Sequence, residues 1–184
     1  MILSDREIWM ELQTGRMIID PQVEFNQVAP SSVDLRLGNH FTKLSPINTP
    51  GVITHIDVAN ADPEQIASLY GIFSTISDHE AFTLEPHDFV LAFTKERVTL
   101  PNYLGARIEG KSSLARFGIS IHQTAPTVHA TFGGVLRLEI SNGGPYTCLL
   151  RPGQNICQLI IERLGTPSQS SLISNFQGQT PPIA

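Results

Sequence analysis

Cysteine is almost missing from this chain. Cys148 and Cys157 are the only two in 184 residues, and they form no Cys-x-x-Cys pair. A disulfide framework is thereby excluded as the source of stability, and a reducing cytoplasm fits best. Long apolar runs are missing as well. No stretch approaches the roughly 18 residues that cross a bilayer. The opening MILSDREIWMELQTG places Asp5, Arg6, Glu7 and Glu11 among its apolar residues, whereas a secretory signal needs an uninterrupted apolar stretch. Basic charge is in deficit: Lys and Arg number 12 against 17 Asp and Glu, a net charge of −5. A chain of that sign does not suit DNA or an anionic membrane surface, although a local basic pocket for a small phosphate ligand is compatible with it. What the chain does have is apolar content, 41% of its residues, and a length that suits one domain or one domain with a short tail.

Ser4 followed by Glu7 reads as a capping box, and Ile8, Trp9 and Leu12 then share one helical face before Gly15, so a helix is expected over about residues 4–14. Glycine (14) and proline (13) are frequent, and beyond the first helix the periodic segments are short. SSVDLRLG alternates, with Val33, Leu35 and Leu37 on one face and Asp34 and Arg36 on the other. FTLEPHDFVLAFTKERVTLP reads as two short strands broken at Pro86-His87-Asp88. GVLRLEISN alternates again, with Leu136, Leu138 and Ile140 opposite Val135, Arg137, Glu139 and Ser141. NICQLIIERL reads as a strand buried on both faces. Turn signals lie between these runs at Asn142-Gly143-Gly144-Pro145 and Arg151-Pro152-Gly153. The pattern predicts a mainly β protein, a sandwich or distorted barrel. Asp62 and Pro63 open a short helix near residues 60–70. From about Thr166 the chain is polar and is expected to be a mobile tail.

GARIEGKSSLARFG poses a specific question. Gly105 to Ser112 satisfies the phosphate-loop pattern of Gly, four residues, then Gly-Lys-Ser. That loop needs a buried parallel strand before it and a long helix after it. Here Pro101 breaks the preceding segment, the branched Ile108 resists left-handed conformations, and Gly118 stops any helix that starts near Ser112. The nucleotide-triphosphatase reading is therefore set aside. Two readings stay open on local grounds, a solvated surface turn and a helix of one to two turns capped by Ser113 or Ser112. Ser112 and Arg116 would share a face, and Lys111 with the free N–H groups would form a small anion site.

GKSSLARFGI, TAPTVHATFGG and LRLEISN, in this order and spacing, resemble the dCTP deaminase family, relatives of trimeric dUTPase. ILSDREI, GRMIIDP, SSVDLRLGNHF, RVTLP, LRPGQNICQLI and FQGQ extend the likeness over nearly the whole chain. The resemblance implies a distorted β-barrel of jelly-roll, dUTPase-like type with few short helices. It divides into a barrel domain over 1–165 and a tail over 166–184 that closes on the nucleotide site. It also implies a homotrimer with its sites between subunits, and deamination of dCTP to dUTP and ammonia without zinc. The His-x-Glu and Pro-Cys-x-x-Cys patterns of zinc nucleobase deaminases are absent from the sequence.

On the same resemblance Glu139 is the proton-shuttling carboxylate, Ser112 and the Ala125 carbonyl hold the attacking water, and Arg116 keeps the carboxylate ionised. Backbone groups over Arg137, Leu138 and Glu139 read the base edge, and Phe132 packs on the deoxyribose. Lys111, Ser113 and the start of the short helix, with Gln179 of the tail, take the triphosphate with a bridging Mg2+. The likeness admits dTTP as a feedback inhibitor. The alternative for Glu139 is a solvated strand glutamate paired with Arg137, and for Phe132 plain core packing.

Three positions depart from the family. His129 stands where many relatives carry the Asp that contacts the sugar 3′-hydroxyl, which argues against dUTP hydrolysis. Leu172 and Asn175 stand near tail positions that carry Tyr and Lys in some relatives. Pro126 and Thr127 replace a His-Arg pair. A dUTPase or bifunctional deaminase–dUTPase, and a non-catalytic nucleotide-binding regulator, remain the competing functions. The other histidines, His40, His55, His79, His87 and His122, show no metal-ligand spacing.

Overall fold

A computed structural model describes residues 1–45, 54–170, 177–178 and 180. The chain opens with α1 (Asp5–Gln13). The Glu7 carboxylate accepts both the backbone N–H and the hydroxyl of Ser4, at 2.9 and 3.0 Å, and Gly15 turns the chain out of the helix at φ +69°. Among the described residues twelve strands follow: β1 (Ile18–Asp20), β2 (Val28–Ala29), β3 (Ser32–Leu44), β4 (Gly71–Thr75), β5 (Phe82–Leu84), β6 (Phe89–Thr99), β7 (Leu104–Gly110), β8 (Ile119–Ser120), β9 (Thr127–Val128), β10 (Gly133–Asn142), β11 (Cys148–Leu150) and β12 (Asn155–Arg163). Two further helices interrupt them, α2 (Pro63–Tyr70) and α3 (Ser112–Ala115).

The main sheet runs β8-β10-β6-β3-β12-β7-β9, with β1 beside β6 and both β2 and β4 beside β3, while β5 and β11 form a separate pair. Every pairing is antiparallel. One strand joins the two halves of the main sheet. The first part of β3 pairs with β12 through Val33–Arg36, and its second part pairs with β6 from Leu37 onward. The crossing is a bulge at Gly38, where an added Cβ would stand 3.0 Å from the Phe93 carbonyl oxygen. Bulges of this kind bend a strand out of one sheet into another, and here they curl the sheet into a half-barrel.

Inside the curl lies one apolar core. Val33, Leu35 and Leu37 from β3, Leu136, Leu138 and Ile140 from β10, and Ile156, Leu159 and Ile161 from β12 are all buried in it, as alternation requires of a half-buried sheet. Asp62 caps α2 through its bond from the Glu64 N–H at 2.9 Å, with Pro63 in the first turn.

Several expectations are corrected. The second strand of the 82–101 stretch is long: β6 spans 11 residues because it lies between β10 and β3 and collects β1 along its end. The 155–164 run is buried on one face only. After a bulge near Asn155, Gln158, Ile160 and Glu162 point to the half-buried outer face. The helix after the glycine-lysine pair has four residues, with Lys111 and not a serine at the cap position and no side-chain capping bond. Residues 105–110, read as a possible phosphate loop, are strand β7, paired antiparallel to β12. Much of the expected tail, Gln179 included, lies outside the described residues. Its described parts are tied to the domain: the Ser168 N–H donates to Asn102 at 2.7 Å and the Gly178 N–H to Gly133 at 2.7 Å. Among the described residues no helix is long and apolar enough to cross a membrane.

Buried Glu11 anchors α1 to the barrel. Its carboxylate accepts from Tyr103 Oη at 2.7 Å, Arg16 Nε at 2.9 Å and Arg163 Nη2 at 3.3 Å. Burial opposes its charge, but these three donors outweigh burial and hold the carboxyl below its ordinary value. A carboxyl depressed in the folded state contributes stability that is present above the ordinary glutamate range and is lost as pH falls through the folded value. Urea unfolding of Glu11→Gln is therefore expected to show a lower midpoint than the parent near neutral pH, with the gap narrowing below about pH 4.

Candidate active site

Alternation along β10 sets which of its side chains leave the core. Leu138 and Ile140 are fully buried, and Glu139 is half-buried on the opposite face, across from Leu91 of β6. Past β8 the chain stays against this strand. The Glu139 N–H donates to the Ile121 carbonyl at 3.0 Å, and the Gln123 N–H donates to Glu139 Oε2 at 3.0 Å. Gln123 Nε2 then reaches Ser141 Oγ at 3.0 Å. Residues 121–123 thus continue along the β8 edge of β10, and the carboxylate is oriented by a backbone donor. Two residues on, Ala125 is exposed and its carbonyl accepts no bond among the described residues. Pro126 carries the chain across to β7, accepting from the Ile108 N–H at 2.9 Å, and Thr127–Val128 pair with that strand as β9. The replaced His-Arg pair therefore lies in an ordered crossing from β10 to β7.

Arg137 does not pair with Glu139, which sets aside the solvated-pair alternative. Its guanidinium lies over the Phe93 ring, 5.3 Å from the centroid, and its Nη1 donates to Glu64 of α2. Its Nε is buried and has no acceptor among the described residues.

The 111–118 turn is fixed from two sides. Lys111 Nζ bonds Asp34 Oδ2 at 2.5 Å, so the ammonium expected at the triphosphate is committed to a carboxylate within its own chain. On the other side Gly118, at φ +86°, meets the 142–144 turn. A Cβ on it would stand 2.3 Å from the Gly144 nitrogen, and the Gly143 N–H donates to its carbonyl at 2.9 Å. Between these clamps Ser112, Ser113 and Arg116 are exposed, and the Arg116 N–H donates to the Ser112 carbonyl at 3.2 Å, placing the two on one turn as spacing predicts. Among the described residues no hydrogen bond or ion pair joins Ser112 or Arg116 to Glu139.

Phe132 is 6% exposed and belongs to the core cluster, so its packing reading is realised within the chain. Just before it, Thr131 adopts φ +67°, and Gln177 of the tail donates to the Thr131 carbonyl at 3.0 Å and accepts from the Gly133 N–H at 3.2 Å. His129 is exposed beside this turn. Leu138 is fully buried, so only its backbone can meet a ligand.

Sequence reasoning missed Gln123, Asp34, Glu64 and Phe93. The last three act through register and long-range contact, for which the one-dimensional pattern carries no signal. Gln123 is adjacent to TAPTVHATFGG and was within reach. Among the described residues no three His, Cys, Asp or Glu side chains gather as metal ligands. Two open grooves, of about 480 and 490 Å3, lie elsewhere: one along Gly38, Lys95 and Pro152, the other along Glu11, Arg16 and Tyr103. Neither is lined by Glu139.

The dCTP deaminase-like family matches residues 2–164. The chain belongs to that family. It is 44% identical over 168 residues to the "dCTP deaminase, dUMP-forming" of Methanobrevibacter smithii, covering 91% of this chain and 83% of the relative. It is 35% identical over 190 residues to the "dCTP deaminase" of Rhodospirillum rubrum, covering 100% and 95%. A crystal structure of 2′-deoxycytidine 5′-triphosphate deaminase from Agrobacterium tumefaciens superposes with a TM-score of 0.68 at 24% identity, over 89% of this chain and 48% of that longer one. The last comparison supports the fold.

The clamp at Gly118 is testable. Gly118→Ala is expected to lower stability by more than about 1 kcal/mol, because the new Cβ meets backbone and the φ is left-handed. Urea midpoints of the variant and parent check this.

Proposed function

We propose that this dCTP deaminase-like chain hydrolyses the C4 amino group of dCTP, releasing dUTP and ammonia, with Glu139 as the proton carrier. The observation that carries the reading is Glu139 itself. It is an outward carboxylate, half-buried and oriented by the Gln123 N–H at 3.0 Å, next to a segment whose Ala125 carbonyl is unclaimed. The carboxylate takes a proton from a water held by the Ala125 carbonyl and the Ser112 hydroxyl. The water oxygen bonds to C4 and the proton passes to ring N3; the carboxylate then takes the remaining proton of the new C4 hydroxyl and gives it to the amino group, and the C4–N bond breaks as C4=O forms and ammonia leaves. Backbone groups of residues 137–139 read the base edge.

Ser112 and Arg116 make no bond to Glu139 within one chain, and both are exposed. This supports a site completed by a second copy, whose 112–116 turn approaches Glu139 in a homotrimer. Arg116 there sets a cation beside the carboxylate. Ser113 and the turn would hold the triphosphate, and a Mg2+ ion would offset part of its charge. Lys111, held by Asp34, acts as a positioner of that turn unless it exchanges carboxylate for phosphate.

A second reading follows from the relatives. Most of those compared are named dUMP-forming, which favours loss of pyrophosphate in the same site. Against it, His129 offers no carboxylate at the sugar edge.

With dCTP and Mg2+, ammonia is expected without matching pyrophosphate, and dUTP should persist as product. Equal yields of the two would establish the dUMP-forming reading. Glu139→Gln is expected to lower ammonia release by at least about a hundredfold while the assembly state by light scattering is unchanged. Normal turnover by that variant would end the proposal.

A further inference from the structure

Arg137 and Glu139 sit two residues apart on one strand, so their side chains leave the same face. A guanidinium so placed has two carboxylates within its range, Glu139 on its own strand and Glu64 on α2. The structure shows which one it takes: Arg137 Nη1 donates to Glu64 and the guanidinium plane covers Phe93, directly across the ladder, while Glu139 receives the Gln123 N–H instead. The Arg137 side chain is only 15% exposed and its buried Nε–H lacks an acceptor among the described residues. An unmet buried donor costs about 1–3 kcal/mol, so this pose is not the one that satisfies the guanidinium best. Something outside it has to hold the arginine there, and Glu64 is the charge that does.

We infer that Glu64 is a positioning residue for deamination: it parks Arg137 over Phe93 and so keeps a second cation from neutralising Glu139. The inference rests on Glu139 being the proton carrier. A carboxylate locked in a salt bridge with a neighbouring arginine is a weaker base and a poorer shuttle, so α2, which packs on β3 and β4, tunes β10 through the Glu64–Arg137 pair. The other charged groups on elements flanking Glu139 do not fill this role. Strand β6 opposes it with uncharged Leu91. His122, on the segment beside it, has its Nε2 4.0 Å from Glu109. At the far end Asp88 holds Lys43 at 2.6 Å. Arg116, on the turn before β8, has no carboxylate partner among the described residues, and the proposed mechanism assigns it to a neighbouring copy's site.

The experiment is the pH profile of kcat for dCTP deamination in four proteins: the parent, Glu64→Gln, Glu64→Gln with Arg137→Met, and Glu139→Gln. Glu64→Gln frees Arg137 to swing to Glu139. Its acid limb is expected to move down by about one pH unit and its kcat at neutral pH to fall several-fold, with far-ultraviolet dichroism unchanged. Removing the arginine in the double variant is expected to return the acid limb to the parent position. An acid limb that does not move in Glu64→Gln overturns the inference. So does a double variant that keeps the displaced limb, since that is the behaviour of a carboxylate that merely supports α2. If Glu139→Gln deaminates normally, the proposed function falls and this inference with it. If Glu139→Gln is inactive and Glu64→Gln matches the parent, this inference alone is lost.

Discussion

The buried carboxylate of Glu96 holds the point on which the barrel turns. It accepts from the Arg36 backbone N–H at 2.7 Å and from Arg36 Nε at 2.6 Å, just where β3 stops pairing with β12 and starts pairing with β6. A strand that changes partners leaves ladder donors without acceptors, and an orphaned buried N–H is costly. Glu96, with no exposed surface, supplies the missing acceptor and uses the same residue's side chain to balance its own charge. Thr94 completes the corner: its hydroxyl donates to the Glu96 carbonyl at 2.8 Å and accepts from the Leu136 N–H at 2.9 Å, bridging the bulge in β10. Removing one member of such a buried pair costs roughly 3–5 kcal/mol, a large share of a typical domain's stability.

The corner also determines the site. The bulge opposite Thr94 falls between Val135 and Arg137, so the alternation downstream of it decides that Arg137 and Glu139 face outward while Leu136, Leu138 and Ile140 face the core. A slip of one residue would bury the glutamate and expose the leucines. Glu139 thus owes its position to a rigid central strand, and its orientation to the adjoining segment that delivers the Gln123 N–H. The turn bearing Ser112 and Arg116 is just as fixed, by Asp34 beneath it and the Gly118–Gly144 approach beside it. Groups held on stiff elements need little reorganisation when a ligand arrives.

Much of this was legible in the residues. The Ser4–Glu7 box, the Asp62-Pro63 helix start, and the alternation over 33–37 and 136–141 each follow from local geometry, and each appears in the structure; Val135, read as outward, is buried because the bulge between it and Arg137 shifts the register. The NTP-loop pattern at 105–112 fails on equally local grounds, since a branched residue and an early glycine do not suit the loop and its helix. The misreadings share a cause. The 155–163 run is apolar enough for a doubly buried strand, yet its outer face is only half covered, because composition reports how apolar a segment is and not what lies above it. Lys111 was read as a free cation because its partner, Asp34, is 77 residues away.

By itself the sequence determined the period of each element, the places where the chain must turn, and the order of motifs that marks the dCTP deaminase-like family. These depend on neighbours within a few residues, or on inherited pattern. Only the tertiary structure decided which charges meet. Arg137 with Glu64, Lys111 with Asp34, Arg36 with Glu96 and Glu11 with Tyr103 and Arg163 are pairings across the sheet or between separate elements. Coulomb attraction and hydrogen bonding act over ångströms in space and are indifferent to distance along the chain.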